Sequence, residues 1–468
     1  MGSVGISFGS PTSGQGFDVT STVNQIVTNL QTIETPWKNQ LTGLQSQDTA
    51  LTSVGTDLSA LATALSALTD FEGTFSAKEG SSSDTSVLAL TNATAAAVAG
   101  THAVVVGQLA QTYSYASGDL TATDTLSGSV TIGGTKIAIS DGTAVDGNGE
   151  TIPANNTLAS LASFINNGDY GVQANVVTDS SGSRLALVSE TSGGSGAVAI
   201  DSSSLTDVKT SKNVAIAQAQ QGQDAQFSVD GISMTSASNT VTAAIPGVTM
   251  QLLDTSGSAV QVEITNNNSS VETAVSSFVT AYNKVIGDLN TQEGNDSSGN
   301  PEPLFGNSAI TLLQEQLQAA VNFTQSSGAI TSLSQLGITP STSYDGTLTL
   351  DTTTLDSALN NNYQDAMNLF QSSSSYTSLG ANLTTTLNNL GNSAPNGTLY
   401  LALQQDAAQE TALNTNIANQ ESLISDQKGL LTTELNAANY TLQEIPQQIQ
   451  YVDEIYSAIT GYNQNSNG

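Results

Sequence analysis

Apolar residues recur every three or four positions near the start of the chain. Spacing of this kind predicts an amphipathic helix, with Asp18 or Thr20 as its N-cap. The first apolar seam is formed by Val23, Ile26, Leu30, Ile33 and Trp37. Pro36 interrupts the seam, so it either kinks the helix or occupies the first turn of a second one.

The same alternation continues beyond Pro36. This second seam consists of Leu51, Val54, Leu58, Leu61, Leu65 and Leu68. A sustained heptad pattern is typical of a coiled coil. We expect this helix to end near Asp70 to Gly73.

The C-terminus carries a matching seam. Its positions are Leu435, Ala438, Leu442, Ile445, Ile449, Val452, Tyr456 and Ile459, extended upstream by Leu413, Ile417 and Ile424 with polar residues between them. The periodicity passes through Pro446, which predicts a kinked helix rather than a break. We expect the N-terminal seam to pack on the C-terminal one and on neighbouring copies. The predicted coiled-coil interface comprises Val23, Ile26, Leu30, Ile33, Leu58, Leu61, Leu65, Leu435, Leu442, Ile445, Ile449 and Val452.

The apolar period changes to two in the middle of the chain, which predicts β-strands. "SVTIGGTKIAI" predicts a hairpin across Gly133-Gly134, and "FSVDGISM" predicts another across Asp230-Gly231. "GVQANVV" and "RLALVS" predict a third hairpin, and "TLASLASFINNG" predicts a short helix. From Ser269 the helical period returns, with Ser269 and Glu272 as a predicted capping box.

These patterns predict a multidomain α+β fold, with coiled-coil helices at both termini, a helical bundle subdomain, and β-rich domains inserted in the middle. The helical domain is expected at 46–85 and 269–430, and the terminal coiled-coil segments at 1–45 and 431–468. A β domain is expected at 86–120 and 211–268, with an outer β-rich domain inserted at 121–210.

Composition excludes several classes of partner. The chain has 40 acidic and 8 basic residues, for a net charge of −32. Nucleic-acid binding and a polybasic membrane patch both need cations that this chain lacks. No run of about eighteen apolar residues occurs, so no membrane insertion is expected. The N-terminus, "MGSVGISFGSPTSGQG", lacks the pattern of a cleavable signal peptide.

Candidate chemistry is sparse. Cysteine is absent, which excludes thiolate sites. The single histidine, His102, is expected to be a partly buried spacer that shares a strand face with Val104 and Val106. "GISFG" (5–9) matches a hydrolase motif without its strand and helix, and "DGNGE" (146–150) lacks the later ligands of a calcium loop. We therefore expect no catalytic residue, metal site, cofactor or enzymatic activity.

Several stretches together resemble the FliD family of flagellar filament caps, also called hook-associated protein two. "SGQGFDVTSTVNQIV" is similar to the opening of the family, and "VAGTHAVVVGQLAQ" to its first long strand. "GQDAQFSVDGISM", followed by "IPGVTMQLL", is the most specific match. "FVTAYNKVI" and "LSQLGITPSTSYDGTLTLD" resemble later family elements. His102 stands where the family usually has an aromatic residue.

The resemblance implies a structural cap at the distal, extracellular end of a bacterial flagellum, exported without a cleavable signal peptide. Copies would form a homo-oligomeric ring that promotes flagellin folding and insertion and prevents monomer leakage. The implied partners are flagellin, the hook-filament junction proteins, an export chaperone and the flagellar export apparatus. The alternative is another extracellular adhesin or structural protein; a contribution to adhesion is compatible with the cap function. An extracellular hydrolase is a third hypothesis, for which no site is visible.

Overall fold

The structure is a computed structural model that describes residues 16–146, 149–371, 376–391 and 396–461. In chain order its helices are α1 (Val19–Gln31), α2 (Thr35–Thr69), α3 (Leu158–Asn166), α4 (Asn268–Gln292), α5 (Ser308–Val321), α6 (Thr352–Phe370), α7 (Leu379–Leu390) and α8 (Thr398–Thr460).

The strands begin with β1 (Lys78–Ser82), β2 (Leu88–Ala93), β3 (Gly100–Gln108), β4 (Thr112–Ser117), β5 (Leu126–Ile132), β6 (Thr135–Ala138), β7 (Val172–Asp179), β8 (Gly182–Ser192) and β9 (Ile200–Asp201). They continue with β10 (Leu205–Asp207), β11 (Ile216–Gln220), β12 (Ala225–Val229), β13 (Ile232–Ser236), β14 (Thr240–Val241), β15 (Val248–Leu252), β16 (Val260–Asn266), β17 (Ile338–Pro340) and β18 (Leu348–Leu350).

The chain divides into two compact units. A helical unit contains Met1–Thr69 and Glu272–Gly468, and a β unit contains Asp70–Val271. The chain is therefore a multidomain α+β protein with helices at both ends, as predicted. The expected boundaries at 45/46 and 430/431 fall within the continuous helices α2 and α8, and β1 lies in the stretch 46–85 that was expected to be helical.

The long helix α2 begins at Thr35, so Pro36 occupies its first turn, where its missing N–H breaks no helical hydrogen bond. Its end at Thr69 agrees with the predicted end. The helical stretch Thr35–Ser76 contains a window with a mean hydropathy of 1.2, apolar and long enough by composition to cross a membrane. The leucines of its seam are nevertheless buried and pack within the helical unit, mainly against α7 and α8.

The helix α4 supplies much of the core of the helical unit. The predicted stripe is fully buried. Its first residue, Val271, belongs to the β unit, and the helical unit contains Val275, Phe278, Tyr282, Val285 and Leu289. The predicted capping box was wrong. The helix begins at Asn268, so Ser269 lies inside its first turn, and the side chain of Asn267 accepts the backbone N–H of Ser270 at 2.9 Å. Asn267 is therefore the N-cap of α4, the role that we had assigned to Ser269.

Two sheets enclose the first core of the β unit. A five-stranded sheet has the order β1-β16-β3-β12-β13, and a three-stranded sheet has the order β14-β15-β2. The predicted hairpin across Asp230-Gly231 is confirmed, with Val229 opposite Ile232 and Phe227 opposite Met234. Asp230 and Gly231 have φ angles of 50° and 81°, as a type I′ turn requires.

A second β core lies between β3 and β12 in the sequence. Its sheets have the orders β11-β4-β8-β7 and β10-β5-β6, with β9 paired to β5, and α3 packs against them. The predicted hairpins β5–β6 and β7–β8 are present, and the predicted helix face Leu158, Leu161 and Ile165 is buried. The core residues run from Tyr113 to Ile216, a wider range than the expected 121–210.

Candidate assembly interface on the terminal helices

The helix α8 is 63 residues long and therefore extends for about 95 Å. It begins after Gly397 and ends at Gly461, whose φ of 68° allows the left-handed C-cap that terminates the helix. The helix is continuous through Pro446, as the periodicity predicted. Because proline has no N–H, the Leu442 carbonyl loses its helical donor there.

Two polar contacts fix how the N-terminal helices lie along α8. The backbone N–H of Phe17 donates to Asn439 Oδ1 at 2.8 Å. Lys38 Nζ lies 3.0 Å from Glu421 Oε1 and 2.8 Å from Glu34 Oε2. As the chain advances from Phe17 to Lys38, its partner on α8 moves back from Asn439 to Glu421. The two segments are therefore antiparallel.

The structure separates the predicted N-terminal interface residues into three groups. Val23 is buried, and Ile26 and Leu30 are half-buried on α1, which packs on α8. Ile33 lies in the turn between α1 and α2 and is 51% exposed, so the seam does not pass through it. The remaining group, Leu58, Leu61 and Leu65, is buried inside the helical unit.

The predicted C-terminal residues change from half-buried to exposed along α8. Leu435, Leu442 and Ile445 are half-buried, whereas Ile449 is 42% and Val452 64% exposed. Tyr456 and Ile459 on the same helix face are also exposed. We refer to Ile445, Ile449, Val452, Tyr456 and Ile459 as the tail stripe. Whether it forms a coiled coil with another molecule stays a prediction.

The tail stripe lies on the C-terminal side of Asn439, the residue of α8 that contacts Phe17. Residues 443–460 extend α8 for about 27 Å beyond Leu442. They include three acidic residues, Glu444, Asp453 and Glu454, and no lysine or arginine. An exposed apolar stripe of this kind favours association, because burial of apolar surface is the main driving force for helix pairing in water.

His102 has a partner that the sequence analysis did not anticipate. Its Nδ1 lies 2.7 Å from Asp230 Oδ2, and the backbone N–H of Ala103 donates to Asp230 Oδ1 at 2.9 Å. The hydrogen bonds from His102 and Ala103 hold the pKa of Asp230 below its usual value. The pair ties the β12–β13 turn to β3, and His102 shares the strand face of Val104 and Val106 as expected.

Within the described ranges, no group of three or more histidine, cysteine or acidic side chains is placed to hold a metal ion. The motif "GISFG" lies outside the described residues, as do positions 147–148 of "DGNGE". Asn439 and the Lys38–Glu421 pair are the interface residues that sequence reasoning missed. Asn439 occupies a position next to the seam, and nothing in the apolar pattern marks a contact 422 residues away in the chain.

Two protein-family models match the chain. The flagellar hook-associated protein 2 N-terminus matches residues 15–113, and the flagellar hook-associated protein 2 C-terminus matches residues 222–450. The stretch between them contains nearly all of the second β core.

Individual relatives agree with this assignment. The B-type flagellar hook-associated protein 2 of Pseudomonas aeruginosa is 28% identical over 327 residues, which cover 63% of this chain and 66% of the relative. The chain thus spans about two thirds of that relative's length. The flagellar hook-associated protein 2 of Escherichia coli K12 is 27% identical over 400 residues, covering 79% of this chain and 84% of the relative.

A solved structure shares the fold. The crystal structure of the D1-D2-D3 domains of the flagellar cap protein FliD from Escherichia coli aligns with a TM-score of 0.53 and 25% identity. The alignment covers 76% of this chain and 99% of the solved one. Together with the two family models, this similarity shows that the chain belongs to the flagellar hook-associated protein 2 family, the filament cap proteins of the bacterial flagellum.

Proposed function

We propose that this protein caps the distal end of a flagellar filament and that the tail stripe attaches it there. The observation that carries this proposal is the exposure of Ile449, Val452, Tyr456 and Ile459 on one face at the end of α8. Within a single chain these side chains are left partly or largely in water. Burying a large apolar side chain contributes about 1.5–3 kcal/mol, so covering four of them supplies a substantial driving force.

The stripe fits a helical partner. Its residues are separated by three and four positions, the spacing at which one helix meets another in knobs-into-holes packing. The residues beside the stripe include the exposed apolar side chains of Tyr451 and Ile455 and no lysine or arginine, which leaves hydrophobic packing as the main attractive contribution. We infer that the helical core of a filament subunit, or of a hook-filament junction protein, provides the second helix.

At the tip, copies of the chain form a ring that holds incoming flagellin while it folds and inserts, and that prevents loss of monomers. The chain reaches the tip through the flagellar export apparatus with an export chaperone as partner. The net charge of −32 supports this account, because like-charged free copies repel one another and stay soluble. This function requires the formation and release of contacts and no bond chemistry.

The test is the double substitution Ile445→Asp with Ile449→Asp in the bacterium that encodes the protein. Immunogold labelling of the cap protein at filament tips should be lost. The purified double variant should keep the near-ultraviolet circular dichroism of the wild type, because the tail stripe makes little contribution to either core.

The matched control is Gln447→Asp with Gln450→Asp, which adds the same two charges to the opposite, exposed face of α8. The control should still label filament tips. Normal tip labelling in the Ile445→Asp, Ile449→Asp variant would mean that another surface attaches the cap. A negative-stain image of the purified wild-type protein tests the ring separately from the attachment.

A further inference from the structure

Carboxylates occupy adjacent seam positions where α8 pairs with α2. The seam of α8 follows alternating spacings through Leu399, Leu403, Asp406, Glu410, Leu413 and Ile417. Its third and fourth positions are therefore acidic within an otherwise apolar row. On α2, Asp48 lies between the buried residues Leu44 and Leu51. We refer to Asp48, Asp406 and Glu410 as the acidic layer.

The acidic layer is shielded from water to different degrees, and Asp48 and Glu410 are half-buried. Asp406 is only 8% exposed, and Asp48 is within hydrogen-bonding reach of it. Asp48 Oδ1 and Glu410 Oε1 are shielded from solvent, and among the described residues they have no hydrogen-bond partner. An uncompensated carboxylate that is shielded from water destabilises the fold, so a compensating positive species is needed.

None of the elements packed on this part of α8 supplies that charge. The helices α1 and α7 contain no ionisable side chain, and α5 contains only the exposed Glu315. On α2, Lys38 pairs with Glu34 and Glu421, and Asp57 pairs with Lys284 of α4. No group of acidic side chains in the described part of the chain, the acidic layer included, is placed to hold a metal ion.

A bound proton is the remaining way to neutralise negative charge in the acidic layer. Two carboxyl groups can hydrogen-bond only if a proton lies between them, and like charges at close range oppose full ionisation. Burial, together with the neighbouring Asp48 and Glu410, raises the pKa of Asp406 above its usual value.

We propose that the acidic layer binds a proton when α2 and α8 pair, so that the closed helix pair is a pH-sensitive joint. A carboxyl group whose pKa is raised by folding stabilises the folded state fully below its unfolded pKa. That stabilisation is lost as the pH rises through the folded pKa. The α2–α8 pair should therefore be tighter in mild acid and should open more often as the pH rises.

Hydrogen exchange of the full-length protein from about pH 4, the ordinary pKa of an aspartate, up to pH 8 tests this joint. Protection factors, corrected for intrinsic exchange rates, should be measured for peptides covering residues 399–417. In the wild type these factors should fall with rising pH. In Asp406→Asn they should be nearly independent of pH and higher than the wild type at pH 8, by about tenfold for each unit by which the pKa is raised.

Asp426→Asn is the matched control, since Asp426 is an exposed acid on α8. It should retain the pH dependence of the wild type. Asp48→Asn should act in the same direction as Asp406→Asn and provides a second variant if that one folds poorly. The proposal would be overturned if protection of residues 399–417 in the wild type did not change with pH. It would also be overturned if Asp406→Asn were less protected than the wild type at pH 8.

Discussion

The backbone N–H of Phe17 donates to Asn439 Oδ1 at 2.8 Å, which joins the first described residues of the chain to the last quarter of α8. This contact, together with Lys38–Glu421, sets the register between the two ends of the chain. The register determines which part of α8 lies beside α1. The tail stripe follows Asn439 on α8, beyond this contact.

Replacing Asn439 with alanine should loosen α1 from α8. The Phe17 N–H loses its acceptor, which should cost about 0.5–1.5 kcal/mol because the bond is partly shielded from water. Hydrogen exchange in residues 17–31 should become faster in the variant. Asn436→Ala, an exposed position on the same helix, serves as the control and should leave this exchange unchanged. Equal effects of the two substitutions would show that the contact does not set the register.

Replacing Gly231 with valine should destabilise the β unit by about 1–3 kcal/mol. Added atoms at Gly231 would meet no neighbour within 4 Å, so the cost arises from the φ of 81°, which a β-branched residue rarely adopts. Denaturant unfolding provides the measurement. Gly257→Val is the control, because that glycine also faces open space but has no positive φ. A neutral Gly231→Val variant would refute the type I′ assignment.

The His102–Asp230 pair should make the β unit sensitive to acid. Hydrogen bonds from His102 and the Ala103 N–H lower the folded pKa of Asp230. The stability that this group provides is therefore present above its unfolded pKa and is lost as the pH falls through the folded one. Asp230→Asn should be less stable than the wild type at pH 7, and the difference should shrink as the pH falls below the ordinary pKa of an aspartate.

Thermal unfolding of the two proteins at pH 7 and pH 2.5 checks this prediction. Asparagine also tolerates the left-handed conformation, so the turn itself should survive. Asp169→Asn, at an exposed position, should match the wild type at both pH values. A stability difference that is the same in acid as at neutral pH would mean that the pair contributes nothing through its charge.

The second β core should be removable as a whole. Gln111 and Gln223 exchange backbone hydrogen bonds of 2.8 and 3.1 Å, so the chain enters and leaves this core at adjacent points. Replacing residues 112–222 with Asn-Gly, which favours a tight hairpin turn, should leave the first β core and the helical unit folded. Deleting only 121–210 should be more harmful, because it exposes Tyr113, Tyr115 and Ile216.

Near-ultraviolet circular dichroism and the unfolding midpoint distinguish the two deletions. We expect the 112–222 replacement to unfold in one cooperative transition. We expect the 121–210 deletion to unfold in a broad one. The reverse order would show that the two β cores depend on each other for folding.

Much of the fold could be predicted because each local pattern has one dominant cause. The leucines of α2 and the stripe of α4 repeat at the helical period, and both stripes are buried. The Asp230-Gly231 hairpin was predictable from its turn residues, since few sequences accept two positive φ angles. The short helix α3 was marked by its apolar face and by Gly168 after its end.

Other features depend on distant parts of the chain and leave no local trace. Ile33 has the right spacing for the seam, but the chain turns there to change from α1 to α2. Asn267 and Ser269 are both good caps, and the end of β16 at Asn266 places the helix start one residue after Asn267. Asp406 and Glu410 looked like interruptions of an apolar stripe, because their significance arises only when Asp48 approaches from α2.

The most direct test of the central claim is the amount of flagellin released into the medium by cells carrying Ile445→Asp and Ile449→Asp. If the tail stripe attaches the cap, flagellin should be exported but lost as monomer, filaments should be short or absent, and cells should not swim. The Gln447→Asp, Gln450→Asp control should retain flagellin and motility. Normal filament length and full motility in the Ile445→Asp, Ile449→Asp cells would contradict the account.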